Sequence, residues 1–272
     1  MTLLEFWNKI ELPSNVIEKA WELEVEEQDF QNICNLYQES HDKYYQFLLE
    51  KEESALWFLL SYSYMACKTY DKYSSLGIPE EVFFDTFKDI TIWCENYERE
   101  YGRIGLGAYE WFHRHIDMSL FRLGRLQFEP MVMECTIGNE IYMIHKGTQV
   151  VNIHIPQGEA LVWSECEKSI QQAKKIWGEE IAYVCHSWLL YPNLKEILSE
   201  KSNIRAFSEH FSVMQIDFNE REAEWRIFGK VLKNISEYPE KTQLQRSAKE
   251  YLLSGKCLGN GWSILNTKNG NS

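Results

Sequence analysis

Two hydrophobic periods divide the chain. In EEVFFDTFKDITIWCENY (80–97) apolar side chains fall at Phe83, Phe87, Ile90, Cys94 and Tyr97, one face of a helix. Pro79 suits a first helical turn, and Glu80 and Glu81 complement the dipole there. Similar patterns predict helices over 14–24, 28–50 and 53–73, and AYEWFHRHI (108–116) predicts a short one. Gly77 and Pro79 mark one boundary; Gly102, Gly105 and Gly107 mark another. From about Ser119 the period falls to two. LFRLGRLQFEPMVMEC reads as a strand interrupted near Gly124 and Pro130. EIYMIHKGTQVVNIHI reads as two strands joined at Lys146-Gly147. A helix over 161–177, a strand over 180–188, a helix over 192–210, a strand over 213–218 and a helical piece over 222–233 follow. Thr242 and Gln245 have capping-box spacing before a last helix, which Gly255 ends. LGNGWSIL predicts a short final strand. The expected class is α+β: an all-helical domain (1–116), a mixed α/β domain (117–266), and a tail (267–272) expected to fray.

Composition narrows this picture. Hydrophobic residues make up 44% of 272, with ten tryptophans, which supplies buried cores and argues against disorder. The greasiest segment, SALWFLLSYSYMAC (54–67), is too short to span a bilayer, and MTLLEFWNKIEL does not read as a signal peptide. Residues 1–115 carry ten Lys and Arg against twenty-two Asp and Glu, whereas 116–272 carry eighteen against nineteen. Without a basic stripe, nucleic acid is not an expected partner, and neither is a membrane. The near-neutral second half suits a phosphate-bearing ligand better than the first. Seven cysteines, at 34, 67, 94, 135, 166, 185 and 257, form no CxxC pair or metal knuckle. They fit reduced thiols in the cytoplasm, and no metal is expected.

The stretch VNIHIPQGEAL (151–161) carries the first candidate site. Val151, Ile153 and Ile155 point to one face of a strand; Val150, Asn152 and His154 point to the other. Pro156, Gln157 and Gly158 then hand the chain to a helix, whose first N–H groups lack intrahelical acceptors. Gly158 and the small Ala160 leave room for a pyrophosphate, though Glu159 must turn its carboxylate away. An exposed charge gains only about 0.3–1 kcal/mol from the dipole, so an ordinary βα loop is the competing reading. Cys185, His186 and Ser187 are adjacent, but neighbours in a strand face opposite ways and cannot form a nucleophile–base pair. His113 and His115 lack a third nearby ligand for a metal. Arg122, Arg125, Arg226 and Arg246 are candidate anion clamps, and Tyr191 is a candidate proton donor.

Taken together, RLGRLQFEP, VNIHIPQGEAL, YVCHSWLLYPNL, KSNI, EWRIFG and TQLQR resemble a bacterial acyltransferase-like family. In it a helical N-acyltransferase-type N-terminal domain precedes a GNAT-like C-terminal domain. The resemblance implies a sheet splayed between two central strands, here 149–155 and 180–187. It implies acetyl-CoA or another acyl-CoA as co-substrate and a small-molecule amine as acceptor. Pantetheine would lie on the open edge, and the pyrophosphate on the next helix. On this resemblance Ile155, Gln157, Gly158, Glu159, Ala160, Cys185, Ser187 and Asn193 line the acyl-CoA path. Ile155 stands where such turns usually carry Arg or Gln, and no carboxylate base precedes the turn. His154 is then the substitute base and Tyr191 the acid for the departing thiolate. The alternatives are a non-catalytic binding or regulatory protein that keeps the fold, and a thiol hydrolase using Cys185.

Overall fold

One long buried helix organises the N-terminal part of the chain in the computed structural model, which describes residues 1–219 and 221–266. Eight helices form here: α1 (Leu3–Lys9), α2 (Ser14–Trp21), α3 (Glu27–Glu39), α4 (His41–Leu49), α5 (Ser54–Ser75), α6 (Glu80–Phe87), α7 (Asp89–Tyr101) and α8 (His113–Ile116). Twelve residues of α5 are buried, serines and tyrosines among them. Several of its hydroxyls find partners in the core, while among the described residues Tyr73 Oη is buried without one. Trp7 Nε1 donates to Ser63 Oγ at 2.8 Å, and Tyr44 Oη lies 2.6 Å from Ser61 Oγ. Ser61 in turn donates to the Phe58 carbonyl at 3.2 Å. A buried polar atom without a partner costs about 1–3 kcal/mol, so these contacts are what allow so polar a helix to be a core helix. Among the described residues no helix is long and apolar enough to cross a membrane.

The structure breaks two of the expected helices. The segment 28–50 bends at Ser40, whose backbone is extended. Ser40 closes α3 through its N–H and caps α4 by accepting from Lys43 N. Both helices bury their apolar residues in one core, Phe30, Ile33 and Tyr37 from α3 and Tyr44 and Leu48 from α4. Likewise α6 and α7 meet at Lys88.

Chain contacts divide the molecule into two units: Met1–Leu123 with Pro156–Gly158, and Gly124–Ile155 with the residues from Glu159 onward. Strand β1 (Phe121–Leu123) belongs to the first and packs on α6, where Arg122 N donates to Thr86 Oγ1 at 2.9 Å.

The second unit contains β2 (Leu126–Val132), β3 (Ile137–Gly138), β4 (Met143–Ile144), β5 (Gln149–His154), α9 (Trp163–Trp177), β6 (Ala182–Ser187), α10 (Asn203–Ser208), β7 (Phe211–Asp217), α11 (Glu222–Phe228), α12 (Gln243–Leu253) and β8 (Asn260–Leu265). Its main sheet runs β2-β5-β6-β8-β7, with β5 and β6 parallel and the other pairs antiparallel. Chain reversal at Gly124, in the left-handed region at φ 66°, precedes β2 as expected. Pro130 does not interrupt β2; it sits within it opposite Val151. The strands around Lys146-Gly147 do not pair with each other: β4 joins β3 in a separate ribbon, while β5 enters the main sheet. The helix expected over 192–210 is a 3-10 segment, Pro192–Glu196, followed by α10. The piece expected to reach 233 stops at Phe228, because Gly229 turns left-handed at φ 80°. The Thr242–Gln245 capping box forms as the sequence predicts. The expected fraying tail, 267–272, lies outside the described residues.

Gly105 and Gly77 separate two costs of a left-handed glycine. A Cβ on Gly105, at φ 144°, would lie 2.7 Å from the backbone carbon of Ala55, whereas one on Gly77, at φ 69°, meets nothing within 4 Å. Chemical denaturation should show Gly77→Ala losing about 1–2 kcal/mol and Gly105→Ala about 3 kcal/mol or more. Equal losses would show that loop 102–107 does not press on the start of α5.

Candidate active site

Parallel pairing of β5 with β6 is short. It covers Val150 with Ala182, Val151 with Tyr183 and Asn152 with Val184, and ends there. Both strands continue: β5 reaches His154 while held by β2, and β6 reaches Ser187 while held by β8. The central sheet therefore splays. From Ile153 and Cys185 onward, the facing edges present backbone groups that β5 and β6 do not give each other. An extended polar chain could add there as a strand does.

Register also places two imidazoles. Asn152 and Val184 are partners, so they share a sheet face, and two residues further His154 and His186 share it too. Each imidazole has a carboxylate. His154 Nε2 lies 2.8 Å from Glu129 Oε2 on β2, and His186 Nε2 lies 2.7 Å from Asp217 Oδ2 on β7. A carboxylate partner orients each imidazole, and Asn152 Nδ2 lies 3.2 Å from the same His154 Nε2. The His186 ring also stacks on Trp262, with centroids 4.6 Å apart. Asp217 reaches this face because β7 bulges. Val213 pairs with Ser263, but Gln215 pairs with Trp262, so Met214 is an extra residue. Were Met214 paired with Trp262 instead, Ile216, not Asp217, would lie opposite Asn260 on the His186 face. Beside His154, the Asn152 Oδ1 and Gln127 Nε2 atoms are buried without a protein partner. Water or a substrate group would recover the roughly 1–3 kcal/mol that each such atom costs.

The segment after β5 corrects one expectation. Its helix starts at Trp163 rather than 161, leaving a loop over 155–162. Arg125 shapes that loop. Its guanidinium donates to the carbonyls of Ala160 at 3.2 Å and Glu159 at 2.8 Å, and its N–H donates to Ser169 Oγ of α9 at 2.9 Å. Trans peptide planes point N–H opposite C=O, so the amides of Ala160 and Leu161 face away from Arg125. Val162 caps α9 without a side-chain hydrogen bond. Gly158 is exposed at φ 116°, and a Cβ there would meet nothing. The Gln157 side chain is engaged by Asn96 in a reciprocal amide pair of 3.1 and 3.2 Å. Glu159 and Ala160 are exposed; Ile155 is half-buried.

The remaining candidates are spread along and beyond β6. Cys185 is 1% exposed, on the face opposite His186, and burial pushes its thiol up. Ser187 accepts from Leu189 N at 3.2 Å. Tyr191 is buried among Leu194, Phe228 and Tyr251; burial, then Tyr251, pushes its hydroxyl up to about 12. Asn193 donates to that hydroxyl at 3.2 Å. The HxH histidines separate. His115 is buried, 3.2 Å from Asp89, while His113 Nδ1 lies 2.8 Å from the Glu110 carbonyl. Among the described residues no group of three His, Cys, Asp or Glu is placed to hold a metal. Sequence reasoning missed Glu129 and Asp217. Each stands on a polar position of an alternating strand, and only pairing across the sheet brings it to a histidine.

Comparison with known proteins fits this geometry. Residues 120–265 match the model of the GNAT-like C-terminal domain, and residues 1–118 match that of the N-acyltransferase N-terminal domain. No protein of curated function matches the sequence. The chain is similar to a solved acyltransferase in complex with decanoyl-CoA and teicoplanin, with TM-score 0.77 and 18% identity over 96% of this chain and 86% of that one. It is similar too to an acyltransferase mutant in complex with octanoyl-CoA, with TM-score 0.78 and 18% identity over 97% of this chain and 87% of that one. At such identity the likeness is one of fold.

Thiol accessibility gives a direct check. Cys135 and Cys257 are exposed, whereas Cys94, Cys166 and Cys185 are buried. Titration with a disulfide reagent at pH 8 should label the two exposed thiols first and Cys185 only on unfolding. Rapid labelling of Cys185 in the native protein would reopen the thiol hydrolase reading.

Proposed function

Because the chain belongs to the family with a GNAT-like C-terminal domain, we propose that it is an acyltransferase moving an acyl group from acyl-CoA to an amine. One observation carries the reading: β5 and β6 part after Asn152 and Val184, with two imidazole–carboxylate pairs on one face of the opening. The pantetheine amides would pair with the exposed strand edges. Amides of Ala160 and Leu161 and the uncapped start of α9, where Arg125 holds the neighbouring carbonyls back, would receive the diphosphate.

Backbone N–H groups at the open edge would polarise the thioester carbonyl. The amine nitrogen then bonds to the acyl carbon, the carbon–sulfur bond breaks, and an imidazole takes the amine proton. His154, steadied by Glu129, is the base the sequence points to; His186, steadied by Asp217, stands across the opening in equivalent geometry. Either carboxylate would stabilise the imidazolium that forms. Tyr191, with its hydroxyl held near 12, stays protonated at neutral pH and is our candidate to return a proton to the thiolate. Octanoyl-CoA and decanoyl-CoA in the similar structures support a medium-chain acyl donor, and teicoplanin in one supports a small-molecule acceptor. The seven unpaired thiols support a reducing, cytoplasmic setting.

Isothermal titration should show saturable binding of octanoyl-CoA or decanoyl-CoA. Absence of heat with these and with acetyl-CoA would refute the reading. In CoA-release assays over an amine panel, His154→Asn and His186→Asn should differ. The variant that has lost the base should fall about 100-fold or more and lose the rise of rate with pH. Unchanged rates in both would remove the imidazole mechanism.

A further inference from the structure

Within the helical unit, a cavity of about 500 Å³ opens between the ends of α2, α4 and α7 and the start of α5. The reaction proposed above makes no use of it. Its charge is opposite to that of its surroundings. Residues 1–115 hold ten Lys and Arg against twenty-two Asp and Glu, yet Lys19, Lys51 and Arg103 all line this cavity, with Glu53 its one carboxylate. Lys19 is already compensated, 2.6 Å from Glu22 and 3.5 Å from Glu53. The other two are not. Among the described residues neither Lys51 nor Arg103 makes an ion pair. Lys51 is half-buried, with its ammonium 4.7 and 4.9 Å from the ring centroids of Phe47 and Trp57. Those π faces hold the cation in place without neutralising it. Tyr97 and Ile104, both half-buried, supply apolar wall. The cavity thus pairs two uncompensated cations with an apolar surface, the complement of a small amphiphilic anion.

We propose that this cavity binds a small organic anion, a carboxylate or phosphate monoester, whose charge meets Lys51 and Arg103 and whose apolar body rests on Tyr97 and Ile104. Glu53 takes a left-handed conformation before α5 and gives no side-chain cap, so the first amides of that helix add to the field. The two cations are nevertheless what define the ligand.

Phenyl phosphate and benzoate, with neutral phenol as comparator, test this by isothermal titration on the full chain. Both anions should bind saturably, more weakly as salt rises, and phenol should not. Arg103→Gln and Lys51→Gln should each weaken binding about tenfold, the scale of one charge-assisted contact. Circular dichroism would confirm folding, and if Lys51→Gln unfolds, Arg103→Gln decides alone. No saturable heat with either anion, an affinity for phenol equal to theirs, or an unchanged Kd in the Arg103 variant would overturn the assignment.

Discussion

The early end of hydrogen bonding between β5 and β6 is the constraint on which the rest of the site depends. Two parallel strands at the centre of a sheet would ordinarily pair along their length, since unpaired backbone groups in a protein interior are costly. Here pairing stops after three partners while each strand stays fixed by its outer neighbour, β2 on one side and β8 on the other. Both walls of the opening belong to antiparallel ladders. Its exposed edges offer directional donors and acceptors, which suits an amide-bearing arm, and they leave those groups paired only when something occupies the gap.

The two imidazole–carboxylate pairs follow from the same geometry. Alternation along paired strands turns one register into a list of what shares a face: Gln127, Glu129, Asn152, His154, His186 and, through the bulge, Asp217. No side chain has to reach unusually far. Arg125 does comparable work for the loop that follows β5. By taking two carbonyls it settles which way the neighbouring amides face, so the loop is oriented before any anion arrives.

Much of the fold was legible in the sequence. The helical period before residue 117, the alternation after it and the Thr242–Gln245 box depend on neighbours a few positions apart, and each appears in the structure. His154 could be placed on a polar strand face for the same reason. What escaped was long-range. Glu129 and His154 are 25 residues apart and His186 and Asp217 are 31 apart, so no local pattern links them. The helix after β5 begins later than its apolar period suggests because Arg125, 34 residues upstream of Glu159, holds the intervening loop in another shape. Lys146-Gly147 misled because a turn dipeptide says where the chain bends but not which strand each arm will join.

The single-residue bulge in β7 bears on how relatives of this protein are compared. Ser212 and Asp217 both look like ordinary polar positions, and a gap-free alignment would treat the strand between them as continuous. Met214 changes the parity of everything after it. A homologue of equal length that pairs this strand without the bulge would carry the aligned aspartate on the reverse side of its sheet, unable to meet the histidine, while one that simply lacks the residue at Met214 would keep the pair. For this strand, sameness of residue and sameness of role are different questions, and the count of residues answers the second.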